Sequence, residues 1–123
     1  MNRILIVEDE AQIAGFIDKG LKKKGFQTTI ASNGEEALQI LEDNLFDLLL
    51  LDIQLPIKDG WSVLEELRSQ KNLIPIIVMT ACYDVEEKIS KLPHQNIDYV
   101  SKPFRFAELL VRIQNLLGLY CHT

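Results

Sequence analysis

Hydrophobic positions in this chain fall into five short blocks, with amphipathic stretches between them. The clearest block is Leu48-Leu49-Leu50-Leu51, which runs straight into Asp52 and a loop containing Pro56 and Asp59-Gly60. A short run that is apolar at every position reads as a strand buried on both faces, as in a parallel sheet covered by helices. Ile4 to Val7 and Ile76 to Met79 repeat the pattern and end at Glu8-Asp9-Glu10 and Thr80. Phe26 to Ala31 and Ile97 to Ser101 mix polar and apolar residues, which places them at the sheet edges; Lys102-Pro103 follows the second.

The intervening stretches have helical spacing. After Glu10, Ile13, Ile17 and Leu21 share one face of a helix running to about Lys24. Gly15 and Gly20 each weaken it by roughly 1 kcal/mol relative to alanine, and Gly25 ends it. Ser32 with Glu35, or Asn33 with Glu36, has capping-box spacing ahead of Ala37, Leu38 and Leu41. Asp59 starts a third helix carrying Val63, Leu64 and Leu67. Asp84 and Glu87 are spaced to cap a fourth, with Val85, Ile89 and Leu92 apolar and Pro93 as its stop. The fifth runs from about Phe104 to Leu117, with Phe106, Leu109, Ile113 and Leu116 inward and Gly118 after it.

Strands alternating with helices specify an α/β, doubly wound, five-stranded parallel sheet with five helices. The three apolar strands belong in the centre and the two mixed ones at the edges. Right-handed crossovers then give the order 2-1-3-4-5. Strands one and three lie side by side, with the second and third helices expected to leave on opposite faces. The chain is read as one domain over residues 1–123.

Composition narrows the class. At 123 residues, 47% hydrophobic and 25% charged, the chain can bury a real core. A net charge of −5 argues against direct nucleic-acid binding by this domain. No apolar run approaches the roughly 20 residues needed to span a membrane. The N-terminus turns acidic after four apolar residues, unlike a signal peptide. Cys82 and Cys121 are far apart and form no metal or redox motif, in keeping with reduced cysteines in the cytoplasm.

In a parallel sheet all strands end on the same side. Glu8, Asp9, Asp52, Thr80 and Lys102 therefore share one crevice, at the switch point where such sheets bind ligands. Clustered carboxylates repel, and a hard divalent cation relieves them; Mg2+ takes few protein oxygens and keeps several waters. A cation, an ammonium and a hydroxyl around a central carboxylate suit a phosphoryl group, with Asp52 as nucleophile. Taken singly, each residue has a plainer reading. Glu8, Asp9 or Glu10 could favour a helix start. Asp52 could be a turn residue, Thr80 a strand-end residue, and Lys102 a solvated surface lysine. Their coincidence at four strand ends favours the functional reading.

Four segments carry a resemblance: ILIVEDE, LLLLDIQLPIKDGW, IIVMTA and DYVSKPF. Together they resemble the response-regulator receiver domain of two-component signalling, over essentially the whole chain, and the flavodoxin-like strand order is that of the family. The resemblance implies that Asp52 is the phosphoacceptor, served by a sensor histidine kinase, a phosphotransfer protein or a small phosphodonor. It implies Mg2+ organised by Glu8 and Asp9, with Asp52 and the Gln54 carbonyl as further ligands. Thr80 matches the switch hydroxyl, Lys102 the phosphate-pairing lysine, and Tyr99 an aromatic that moves with Thr80; without that context Tyr99 would be a plain edge-strand aromatic. Lys102–Pro103 is expected to be cis. Such a domain is a switch that catalyses its own phosphoryl transfer and dephosphorylation. It acts on an effector protein or output domain through the face of helix four, strand five and helix five.

The chain departs from the family in places. Glu8 stands where aspartate is commoner, and its longer arm is expected to reach the metal through water. Gln95-Asn96-Ile97 replaces the usual residues before Asp98, which with Pro93 points to an altered output face. Regulators with a winged-helix output often dimerise there through three charge pairs. Lys88 and Glu108 match one pair. Arg112 and Asp98 each match one member of another, facing Pro93 and Leu119 where the partners would stand. The expectation is a weak or rearranged phosphorylation-dependent homodimer. Gln54 and Cys82 occupy positions that tune phosphoryl lifetime in the family. Three other readings compete: a flavodoxin-like electron carrier, which the acidic Glu8-Asp9-Glu10 loop disfavours; an aspartate-nucleophile phosphatase, which Gln54 disfavours; and a receiver that only docks partners. No effector domain lies within these residues, so the chain is either a stand-alone receiver or one excised from a larger regulator.

Overall fold

A computed structural model describes residues 2–81, 85–90 and 96–118. Its elements are β1 (Arg3–Val7), α1 (Ala11–Lys23), β2 (Gln27–Ala31), α2 (Gly34–Asp43), β3 (Leu48–Asp52), α3 (Gly60–Ser69), β4 (Ile76–Thr80), α4 (Val85–Ser90), β5 (Ile97–Ser101) and α5 (Phe106–Leu117). The strands form one parallel sheet in the order β2-β1-β3-β4-β5. β3 and β4 are buried at every position, whereas β2 and β5 carry exposed residues, as their mixed composition predicts. Expectations involving Cys82, Asp84, Leu92, Pro93, Gln95, Leu119 and Cys121, and the side chain of Val85, lie outside the described residues.

Alternate residues of the central strands feed two cores. Leu5, Val7, Leu49, Leu51, Ile76 and Val78 pack with Ala37 of α2 and with Val63, Leu64 and Leu67 of α3. Ile4, Ile6, Leu48, Leu50, Ile77 and Met79 pack with Ile17 and Leu21 of α1 and with Leu109 and Ile113 of α5. This two-sided burial explains why those strands are apolar at every position.

The second and third helices do not leave on opposite faces: α2 and α3 share one core, and α1 and α5 cover the other side. Chain direction is the reason. The β1-to-β2 crossover travels one way along the sheet, and the later crossovers travel the other. Right-handed connections then put α1 on one face and α2 and α3 on the other. Smaller differences lie at helix ends. α5 begins at Phe106 rather than Phe104, after extended backbone at Arg105 that follows the cis Lys102–Pro103 peptide.

Local capping follows the sequence signals. Asn33 accepts the Glu36 N–H at 2.9 Å, while Glu36 accepts from the Ser32 N–H at 3.3 Å, one residue before the usual capping-box donor. Asp59 accepts the Ser62 N–H at 3.0 Å and starts α3. Gly20, costly by helix propensity, has a packing role: a Cβ there would lie 2.5 Å from the Phe106 ring, where α1 and α5 meet.

The loop after β3 closes tightly. Gly60 donates its N–H to the Ile53 carbonyl at 2.9 Å, and a Cβ on Gly60 would lie 2.4 Å from the Asp52 carbonyl oxygen. Backbone on both sides cannot yield easily. Gly60→Ala is therefore expected to destabilise the fold by about 1–3 kcal/mol, as overpacking does. A lowered urea midpoint at unchanged slope would register that cost, and an unchanged midpoint would contradict it.

Candidate functional site

Strand ends assemble the site. Register pairs Val7 with Leu51, Asp52 with Met79, and Thr80 with Ser101. Glu8, Asp52, Thr80 and Lys102 are thereby delivered side by side along one edge of the sheet. The Lys102 N–H donates to the Thr80 carbonyl at 2.8 Å, which fixes where the lysine leaves β5.

Glu8, Asp52 and Thr80 are only 1%, 3% and 1% exposed, whereas Asp9 faces solvent. Glu8, Asp9 and Asp52 each present a carboxylate oxygen within 4.8 Å of the others. Lys102 lies between the two buried acids, its Nζ 2.8 Å from Glu8 Oε1 and 3.3 Å from Asp52 Oδ2. Glu8 Oε2 accepts the Glu10 N–H at 3.2 Å, and Asp52 Oδ1 accepts the Gln54 N–H at 3.2 Å. Both Glu8 oxygens thus have protein partners, and the ammonium of Lys102 rests closer to Glu8 than to Asp52. Sequence reasoning placed Lys102 toward a phosphoryl group and Glu8 toward a metal; it missed their mutual pairing. The charge count, three carboxylates against one ammonium, shows that Lys102 has an acidic partner but not which one. The Glu10 backbone donor left no signal at all.

Strand parity puts Thr80 and Tyr99 on the same face, since Thr80 lies two residues beyond Val78 and Val78 pairs with Tyr99. Tyr99 is half-buried and packs against the α2–α3 core. Its N–H donates to Asp98 Oδ1 at 2.8 Å. Arg112 Nη1 meets both Asp98 oxygens, at 2.9 and 3.0 Å, and its guanidinium lies 5.8 Å from the Tyr99 ring centroid. One side of the mouth is apolar: Ile13, Phe16, Pro103 and Phe104 line a groove of about 500 Å3 beside Lys102.

A model of the response regulator receiver domain matches residues 4–114. The chain belongs to that family. It is 38% identical over 117 residues to the transcriptional regulatory protein PcoR of Escherichia coli, an alignment covering 95% of this chain and 52% of PcoR. The chain spans about half the length of the curated relatives it matches. The receiver domain of the Francisella response regulator 1452 superposes with a TM-score of 0.88 at 35% identity, covering 96% of this chain and 98% of that one. The response regulator TrrA of Thermotoga maritima, solved in complex with Mg(2+)-BeF, gives 0.84 at 36% identity, covering 95% and 100%. Family membership sets aside the electron-carrier and phosphatase readings. This receiver is a phosphorylation-activated switch of two-component signalling. No described helix is long and apolar enough to cross a membrane.

The buried charges shift one another. Burial pushes the Glu8 carboxyl from 4.5 up to about 7; the Lys102 hydrogen bond pulls it back, and Asp52 adds to the rise. Burial works to lower the Lys102 ammonium, but its bond to Glu8 and the field of Asp52 outweigh that and raise it. In the metal-free chain, Glu8 therefore keeps a proton between pH 4.5 and about 7 that the unfolded chain has released. The stability that Glu8 contributes is greatest below that window and falls as pH rises through it. Carbon-13 NMR of the Glu8 carboxyl in chelator should give a midpoint near 7. In Lys102→Met the midpoint should climb further, because the opposing cation is gone. A midpoint near 4.5 would refute this picture of the site.

Proposed function

We propose that residues 1–123 form one receiver domain in which Asp52 is the phosphoacceptor. The observation that supports this best is the setting of Asp52. It is buried at the end of a central strand, with one oxygen beside Lys102 and the acids Glu8 and Asp9 next to it. An Asp52 oxygen attacks phosphorus as the N–P bond of a donor phosphohistidine breaks, or the corresponding bond of a small phosphodonor. Lys102 pairs with the transferred phosphoryl oxygens and the Thr80 hydroxyl bonds one of them. Tyr99 follows Thr80 on their shared face, carrying the change to α4, β5 and α5.

Acidic oxygens at this spacing fit a hard cation. Asp9, Asp52 and the Gln54 carbonyl would hold Mg2+, with Glu8 behind them and acting through water. When bound, the ion supplies positive charge that offsets the charge spread over the transferring oxygens. That TrrA was solved in complex with Mg(2+)-BeF supports this choice of ion. The protein is not an enzyme for outside substrates; it catalyses its own phosphorylation and dephosphorylation. Its donor is a sensor histidine kinase or phosphotransfer protein in the cytoplasm. Its target is an effector protein or output domain, as the transcriptional regulators among its relatives suggest. This domain itself binds neither nucleic acid nor membrane.

Incubation with a small phosphodonor and Mg2+ should add one phosphoryl mass to the wild-type chain. Asp52→Asn and chelator should each abolish it. A wild-type chain left unmodified by both a small donor and its kinase would be a docking-only receiver instead.

Homodimerisation through α4, β5 and α5 is expected to be weak. Asp98 and Arg112 already pair within the chain. A second copy would have to displace these partners. Sedimentation with a beryllofluoride phosphoryl mimic should show mostly monomer at micromolar concentration; a tight symmetric dimer contacting through Lys88 and Glu108 would contradict this.

A further inference from the structure

The contact between Lys88 and Trp61 ties α4 to the segment that carries Asp52. Lys88 is exposed on α4, and its ammonium lies 5.1 Å from the Trp61 ring centroid. Among the described side chains of α4, Ile89 reaches the core and Ser90 Oγ turns back to the Glu87 carbonyl at 2.7 Å. Lys88 thus adds a link to a different element, α3.

Trp61 is well placed to feel events at Asp52. It is the second residue of α3, directly after Gly60. Gly60 lies against the Asp52 carbonyl and is bonded to Ile53, so little slack separates the strand end from the indole. The ring packs against the α2–α3 core, which keeps it from following α4 freely. A displacement of either the β3–α3 loop or α4 must change the distance between ammonium and ring.

We propose that Lys88 and Trp61 form a latch that favours the resting position of α4 and opens on phosphorylation. This deepens the reading of Asp52 as phosphoacceptor and rests on it. The attraction is electrostatic, between a cation and the negative face of the indole, and it acts only at close approach. A latch present in one state and absent in the other shifts the balance between them by its own free energy. For an exposed cation–π contact that amounts to about a two- to fivefold change in population.

Lys88→Met keeps the apolar stem and removes the charge. In the resting protein, hydrogen exchange at the α4 amides should quicken about two- to fivefold, and beryllofluoride with Mg2+ should bind tighter by a similar factor. Lys88→Arg should restore wild-type values. Trp61 is the single tryptophan of the chain, so its fluorescence reports the contact directly. Its emission should change on adding the mimic to the wild type and change much less in Lys88→Met. Wild-type exchange, affinity and emission response in Lys88→Met would overturn the latch. Failure of the phosphoacceptor reading would look different: no mass adduct on the wild type, whatever residue 88 is.

Discussion

Two carboxylates buried at the edge of a sheet require a counter-charge, and Lys102 supplies it. An unpaired buried ion costs several kcal/mol even after relaxation. The ammonium 2.8 and 3.3 Å away is what lets Glu8 and Asp52 be ionised together at their strand ends. The sheet order is what makes that possible. β1, β3, β4 and β5 are consecutive neighbours, and Lys102 is pinned to Thr80 as it leaves the last of them. The neutralisation is incomplete, since three acids face one lysine. A site left in that condition favours a divalent cation.

That arrangement was legible in the sequence because it depends on strand ends. Apolar runs ending at Glu8, Asp52 and Thr80, and a mixed run ending at Lys102, fix which residues meet once the order 2-1-3-4-5 is known. The order itself followed from which strands were apolar throughout. The helix faces were legible too, but only through the direction of each crossover, and comparing strands pairwise put α2 and α3 on opposite sides. Pairings between long side chains were not legible. Glu8 with Lys102, Asp98 with Arg112, and Lys88 with Trp61 each join residues on different elements. They depend on rotamers and on sub-ångström approach, which periodicity does not encode.

Arg68 shows the same limit. It stands in the last turn of α3 where a basic residue complements the helix dipole, which suggests a solvated position. Instead it is buried, and its Nη1 donates to the carbonyls of Asn72 and Ile74 at 2.7 and 3.1 Å. Burial lowers its pKa, though a guanidinium stays charged at neutral pH. It holds the turn between α3 and β4 at the end of the sheet away from the acids. That end of the sheet is thus closed by charge-assisted bonds from Arg68 Nη1 to backbone, while Nε and Nη2 are buried without a hydrogen-bond partner among the described residues.

The output side is built from weaker bonds. The Asp98–Arg112 pair is partly exposed, and such pairs are worth about 0–1 kcal/mol. An exposed cation–π contact, such as Lys88 over Trp61, contributes about 0.5–1 kcal/mol. Hydrogen bonds to a charged group contribute about 1.5–3 kcal/mol each. If a phosphoryl group engages the Lys102 ammonium and the Thr80 hydroxyl as proposed, each of those bonds is stronger than the contacts at α4 and β5.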